Sequence, residues 1–481
     1  MTGEPRRNLG RMEPMRIGSE HVTTADESIV RSPFDGSELG RVPAGGPEHV
    51  DAAVAAAQAV RAEPLPAYQR AAILDAAADG LAARHEEFAR SIAGEAAKPI
   101  KTARIEAARA VGTFRFAAVE ARTLAGDMIP MDANDAGVGK LAFTLRVPIG
   151  VVGAISPFNF PLNLVSHKLA PAIAAGCPIV LKPASQTPLT ALKLASLLLD
   201  ECGLPAGWLN VVTGGGGSVG NALVDHDDVA YITFTGSPEV GWGIKGRAPR
   251  KKVGLELGNN APVIVEPDAD LDLAATKIVA GGFGYSGQTC ISVQRVYAHD
   301  SIRDELVDRV VAKVETLVVG DPTDDATDVS ALINAGERDR IVGWIDEATA
   351  GGAKIASGGS VADDVLRPTV LTGVLPDMQV CSQEVFGPLV GVAGYQELDT
   401  ALALANDSRY GLQAAIFTND IRAALKAAHT LEFGGVTVNE MPTFRTDQMP
   451  YGGVKDSGNT REGPHYAVRE MTEERLVVIQ L

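Results

Sequence analysis

Hydrophobic positions recur first at helical spacing and later in strand-like runs. From Pro47 to Ala62 the chain is alanine-rich, with Val50, Val54, Ala57 and Val60 on one face, so an amphipathic helix is predicted there. Further helices are expected over 66–84, 85–96 and 103–125. Residues 140–155 alternate and then run apolar. The segment Ile149 to Ile155 ends at Ser156-Pro157, which reads as a fully buried strand stopped by proline. Strand and helix then alternate: strand Pro178 to Leu181, helix Leu189 to Glu201, strand Leu209 to Val212, helix Ser218 to Asp225, strand Tyr231 to Phe234. This alternation implies a parallel sheet with right-handed crossovers. A second alternating block covers roughly 260–440. The final Arg475 to Leu481 is a strand with no partner nearby in sequence; paired with 139–147, it makes an arm that reaches another subunit. Residues 1–30 read as loose and polar. Ser32-Pro33-Phe34-Asp35-Gly36 reads as a turn between two short strands.

A chain of 481 residues is too long for one simple core, so two or three domains are expected. The hydrophobic share of 46% and charged share of 21% are ordinary for a soluble globular protein. A net charge of -17 argues against a nucleic-acid partner and against an anionic membrane surface. The four cysteines, Cys177, Cys202, Cys290 and Cys381, are too few for a disulfide framework and fit a reducing cytosol. Met1 to Asp26 lacks the apolar segment of a signal peptide. No apolar run approaches the ~18 residues of a membrane span. A cytoplasmic protein is therefore expected, started from Met1, Met12 or Met15.

The chemistry centres on Gly284-Tyr285-Ser286-Gly287-Gln288-Thr289-Cys290-Ile291-Ser292. Its cysteine follows two glycines in a small, polar run, where the backbone turns sharply and a sulfur can point into a cleft. The bland reading is a core cysteine after a loop. Three further stretches bear on it: Ser156-Pro157-Phe158-Asn159-Phe160-Pro161, Leu255-Glu256-Leu257-Gly258-Asn259-Asn260 and Glu384-Val385-Phe386-Gly387-Pro388. Four stretches in this order and at this spacing resemble the aldehyde dehydrogenase superfamily, over nearly the whole chain. The run Met449 to Gly458, with Cys290 to Arg295, resembles its lactaldehyde and phosphonoacetaldehyde dehydrogenase branch. The resemblance implies an α/β fold. It has a Rossmann-like dinucleotide-binding domain (1–126 and 148–257), a second α/β catalytic domain (258–453) and a small β oligomerisation arm (127–147 and 454–481), in a homodimer or homotetramer.

Oxidising an aldehyde by hydride transfer needs a tetrahedral carbon, which a thiolate provides by adding to the carbonyl. Cys290 is the expected nucleophile. Its thiol, near ~8.5 when free, must be shifted or deprotonated by its site. The oxyanion needs donors: the side-chain amide of Asn159 and the backbone N–H of Cys290. For Asn159 the competing reading is an Asx turn between Pro157 and Pro161. Releasing the thioester as an acid needs a general base. Glu256 fits, because its flanking leucines would raise its pKa by desolvation. CoA-acylating relatives lack this glutamate, so hydrolysis to a free acid is favoured over a thioester product. Gly258-Asn259-Asn260 departs from the family pattern, where a second glycine is usual.

Gly215-Gly216-Gly217-Ser218-Val219-Gly220 fits G-x-G-x-x-G formally, but no acidic residue ends the next strand, as a dinucleotide fingerprint requires. By resemblance, Ile155, Ser156, Lys182, Ser185, Gly216, Gly220, Phe234, Gly236 and Ser237 contact NAD or NADP, and Glu384 and Phe386 hold the nicotinamide ribose and ring. Many NAD-preferring relatives carry glutamate where this chain has Ser185, so NADP should be tolerated. Arg115, His167 and Arg445 occupy tunnel positions that are often aromatic in relatives. Three potential cations suit an aldehyde bearing a carboxylate, phosphate or phosphonate. A short phosphonoaldehyde is the expected substrate, with lactaldehyde or glycolaldehyde as the runner-up. The competing reading pairs the arginines with acidic neighbours and buries the histidine in the core. A catalytically silent, nucleotide-binding structural protein is the alternative from another class. No metal-ligand cluster is apparent.

Overall fold

The computed structural model describes residues 12–481. Two seven-stranded sheets and a small antiparallel sheet make up its framework. In the first sheet the strands lie in the order Lys252–Glu256, Val229–Thr235, Val151–Ile155, Ile179–Lys182, Leu209–Val211, Met15–Ile17, Glu20–Val22. The first five are parallel. Both faces are covered: Val152, Ala154, Ile179 and Leu181 point into one core, Val151, Ile155 and Val180 into another. That explains why these strands read as continuous apolar runs. The outer two strands are antiparallel and correct the expectation of a loose start over the described part of 1–30. Met15 is fully buried, and Arg16 grips both oxygens of Asp200 at 2.8 and 2.6 Å. The rest of that stretch, 1–11, lies outside the described residues.

The second sheet orders Lys354–Ser357, Thr369–Thr372, Leu389–Tyr395, Val293–His299, Ala261–Val265, Gln413–Phe417 and Gly435–Val438. All its pairings are parallel except the first. The last strand, Thr472–Gln480, pairs antiparallel with Lys140–Pro148, from Thr472 opposite Pro148 to Gln480 opposite Lys140. The helices Pro47–Val60, Ala67–Ala83, His85–Ala96 and Ile100–Thr123 stand where periodicity placed them. No helix among the described residues is long and apolar enough to cross a membrane.

The cross-strand register gathers the first sheet's functional positions at one edge. Phe234 pairs with Ile155, Ile155 with Lys182, and Thr235 with Glu256. All lie at or next to strand carboxyl ends, the edge where open α/β sheets bind ligands. The second sheet presents the loop before Val293 and the loop before Leu389 to the same region.

Candidate active site

Cys290 stands where two cavities meet. A wide cleft of about 640 Å³ is lined by Phe158, Asn159, Gly236, Ser237, Glu384 and Phe386, among others, and a narrow one of about 60 Å³ by Arg109, Glu256, Thr443, Arg445 and Tyr451; Cys290 and Thr235 line both. The bland reading of a core cysteine therefore does not describe its surroundings. The helix Leu271–Phe283 ends in a tight turn in which Tyr285 and Ser286 adopt left-handed φ values of 52° and 53°. Gly287 follows at φ 70°, and a Cβ there would lie 2.0 Å from the Gly387 carbonyl oxygen, so only glycine fits. Cys290 is half-buried. Burial pushes its thiol up to about 12, and the carboxylates of Glu384, Glu462 and Glu256 push the same way, against a hydrogen bond from Asn159. Both effects favour the thiol form of Cys290 over the thiolate.

Asn159 is buried. Its Nδ2 donates to the Gln288 carbonyl at 3.0 Å, which ties it to the cysteine loop. Glu256 ends its strand between Leu255 and Leu257, both almost fully buried. Burial raises its carboxyl well above the usual range, and the nearby Glu462 charge raises it further. Glu462 moves the opposite way. Burial opposes its charge, but the Arg445 guanidinium outweighs that and holds the carboxyl low. Glu462 was not foreseen from sequence. Thr235 Oγ1 donates to Glu256 Oε2 at 3.2 Å and in turn accepts from Lys168 Nζ at 2.7 Å.

Of the expected dinucleotide contacts, Gly236, Ser237, Glu384 and Phe386 line the wide cleft, whereas Ile155, Ser156, Lys182, Ser185, Gly216, Gly220 and Phe234 are not in its lining. Burial pulls the Lys182 ammonium down to about 8. It bonds only to the Pro183 carbonyl, at 3.0 Å, and no carboxylate among the described residues pairs with it. A buried cation so poorly served needs an external acceptor. Gly220 lies against the Lys182 stem, and Gly216 opens the wide helical turn leading into Asn221–Asp225. Ser185 is exposed and donates to the Gly214 carbonyl at 3.0 Å. Ser156 Oγ is buried without a partner. Ser237 caps the helix Pro238–Arg247. Glu384, raised by burial to about 7, accepts from the Asn259 N–H at 2.9 Å. The departure at Gly258-Asn259-Asn260 has its own logic. A Cβ at Gly258 would lie 2.2 Å from Glu384 Oε2, while the side chains of Asn259 and Asn260 donate to the Gln413 and Cys381 carbonyls. Phe386 packs edge-on against Phe158, ring centres 5.9 Å apart.

The three expected substrate cations separate. Arg445 lines the narrow cavity. It is paired with Glu462 and stacks on the Tyr451 ring at 3.8 Å, and its Nε is buried without a partner. His167 is buried behind Arg445, 3.1 Å from Nη2, and meets Asp447 Oδ1 at 2.9 Å. Burial, then the Arg445 charge, lowers its pKa, so it is a neutral core imidazole rather than a cation. Arg115 is a correction. It lies on the exposed face of its helix, 3.8 Å from Asp79. Arg109, six residues earlier and about 120° around the helix, lines the cavity instead. Arg109 holds Asp447 through Nη2 at 2.8 Å and Nε at 3.3 Å.

The chain matches the aldehyde dehydrogenase family model over residues 21–477, and it belongs to that family. It is 46% identical over 465 residues to a 3-sulfolactaldehyde dehydrogenase of Priestia megaterium, covering 97% of each chain. It is 39% identical over 470 residues to a lactaldehyde dehydrogenase of Methanocaldococcus jannaschii, covering 97% of this chain and all of the relative. Among solved structures it resembles the glyceraldehyde-3-phosphate dehydrogenase GapN of Methanocaldococcus jannaschii complexed with NADP, with TM-score 0.91 and 39% identity over 95% of this chain and all of that one. It is an NAD(P)-dependent aldehyde-oxidising enzyme on the lactaldehyde side of the family.

Proposed function

We propose that the chain oxidises a short aldehyde bearing an anionic group to its carboxylic acid, with phosphonate and sulfonate as the groups to test first. The observation that carries this reading is that Arg109 and Arg445 line the narrow cavity together with Cys290, and that Arg445 keeps a buried N–H without a partner. A phosphonate or sulfonate there accepts charge-assisted hydrogen bonds. The sulfonate and phosphate named for two of the relatives' substrates support the same chemistry.

Cys290 releases its proton to water, and the thiolate sulfur bonds to the carbonyl carbon. The oxyanion is held by the Asn159 amide and the Cys290 N–H. A nicotinamide cofactor held in the wide cleft beside Glu384 and Phe386 would supply the hydride acceptor. Cys290 then carries a thioester. Glu256 takes a proton from water, which attacks the acyl carbon, the C–S bond breaks, and the acid leaves. The outward residues Leu476 on the terminal strand and Leu481 just past it, 58% and 80% exposed, are where copies of the chain would associate.

A second reading takes a neutral 2-hydroxyaldehyde such as lactaldehyde. Asp447 and Glu462 already compensate the two arginines, and a lactaldehyde dehydrogenase is among the relatives. Measuring kcat/KM for phosphonoacetaldehyde, 3-sulfolactaldehyde, lactaldehyde and propionaldehyde decides. The anion reading expects one anionic aldehyde to exceed propionaldehyde by roughly a hundredfold or more. Equal values for propionaldehyde and both anions would end it.

A further inference from the structure

We infer that Lys98, which no step above uses, is a positioning residue that locks the loop of the nucleophile against the loop of the oxyanion donor. Its side chain is fully buried. The ammonium lies 3.6 Å from the ring centre of Phe160 and 4.2 Å from that of Tyr285, and the two rings meet edge-on at 6.1 Å. Phe160 adjoins Asn159 in sequence. Tyr285 precedes Cys290 by five residues. One cation therefore sits between the chain segments that carry the two ends of the proposed chemistry.

The surrounding bonds fix this arrangement from each side. Lys98 pairs with buried Glu106, whose Oε1 accepts from the N–H groups of Leu162 and Asn163 at 2.9 and 3.1 Å. That anchors the start of the helix following the Asn159 loop. Tyr285 donates its hydroxyl to the Ala96 carbonyl at 3.2 Å, two residues from Lys98. Ser286 Oγ donates to the Ser330 carbonyl at 2.8 Å and accepts from the Ser330 N–H at 3.0 Å. A left-handed conformation is unfavourable for a bulky tyrosine and persists only where neighbours over-determine it. The aromatic faces toward Lys98 supply that constraint, since a desolvated cation is attracted to the ring quadrupole. A lysine that merely filled the core would be costlier than an apolar side chain of the same length.

The inference rests on Cys290 being the nucleophile. The test is the rate at which iodoacetamide alkylates Cys290, read by peptide mass, together with kcat, aldehyde KM and the NADP Kd. Lys98→Met and Tyr285→Leu are expected to slow both alkylation and kcat by about tenfold or more, because small misplacements of reacting groups cost that much. NADP Kd should stay within about twofold. Tyr285→Phe, which keeps the ring, should stay within about threefold of wild type in both rates. Alkylation and kcat unchanged in Tyr285→Leu, or Tyr285→Phe falling as far as Tyr285→Leu, would overturn the inference while leaving Cys290 the nucleophile. If Lys98→Met fails to fold, the Tyr285 pair decides alone. Alkylation of wild type at another cysteine, with Cys290 unlabelled, would overturn both.

Discussion

Glu256 and Glu462 are buried carboxyls driven in opposite directions: burial and the Glu462 charge raise Glu256, while Arg445 holds Glu462 down. Glu256 is the partner that holds a proton more tightly, so it acts as a base only once pH exceeds its raised pKa. Where hydrolysis of the thioester limits turnover, kcat should climb with pH through that value rather than near the ordinary ~4.3 of a glutamate. Removing the Glu462 charge lowers the pKa of Glu256. Glu462→Gln should therefore shift the ascending limb of the kcat profile to lower pH by about one unit. A limb that stays in place would show that the two carboxyls do not act together.

Arg109 and Arg445 should be separable. Arg109→Met leaves Asp447 bonded to His167, so folding should survive. Its kcat/KM for an anionic aldehyde should fall by about tenfold to a hundredfold, matching the loss of a charge-assisted contact of ~1.5–3 kcal/mol. Lactaldehyde should change by less than about threefold. Arg445→Met strands Glu462 as a buried, unpaired carboxylate. It should cost stability as well, about 3–5 kcal/mol in denaturant unfolding. Equal losses for anionic and neutral aldehydes in Arg109→Met would remove the arginine from recognition.

Ser185 is exposed and uncharged; on the reading that it faces the cofactor's ribose, that end has no carboxylate there. Ser185→Glu should lower kcat/KM with NADP by about a hundredfold, since placing like charges together costs several kcal/mol. NAD should stay within about threefold. Parallel assays with the two cofactors check this; an unchanged ratio would place the 2'-phosphate elsewhere.

Gly258 is held to glycine by Glu384. Its Cβ would lie 2.2 Å from a carboxylate oxygen, so Gly258→Ala must displace Glu384 or the strand end. Overpacking of this kind costs about 1–3 kcal/mol. The expected readout is a rise of about tenfold in cofactor KM, with aldehyde KM nearly unchanged.

Much of this was legible in the sequence, and the remainder has identifiable causes. Strand Val151–Ile155 announced itself because both of its faces are buried. The terminal strand read as having no local partner, and its pairing with 139–147 was implied by the family resemblance; the observed partner is Lys140–Pro148. Cys290, Asn159 and Glu256 stood in recognisable stretches. Strands Met15–Ile17 and Glu20–Val22 were hidden because they are three residues each and partly polar; what holds them is the pairing with Leu209–Val211 and the Arg16 contact to Asp200, both distant in sequence. Arg115 was chosen over Arg109 because the phase of the helix was not used. Arg109 adjoins the buried positions Glu106, Ala110 and Thr113 at helical spacing, a signal that could have selected it. Glu462 had no such signal. Its role depends on Arg445, seventeen residues away, and on burial that only the packed fold creates.

The central claim is that Cys290 carries the acyl group and Glu256 directs its release. Glu256→Gln, mixed with aldehyde and NADP and digested after rapid quenching, tests it most directly. The account predicts one equivalent of NADPH formed in a burst and the acyl mass on the peptide bearing Cys290. A burst with no acyl mass on that peptide, or with the mass on Cys177, Cys202 or Cys381, would contradict it.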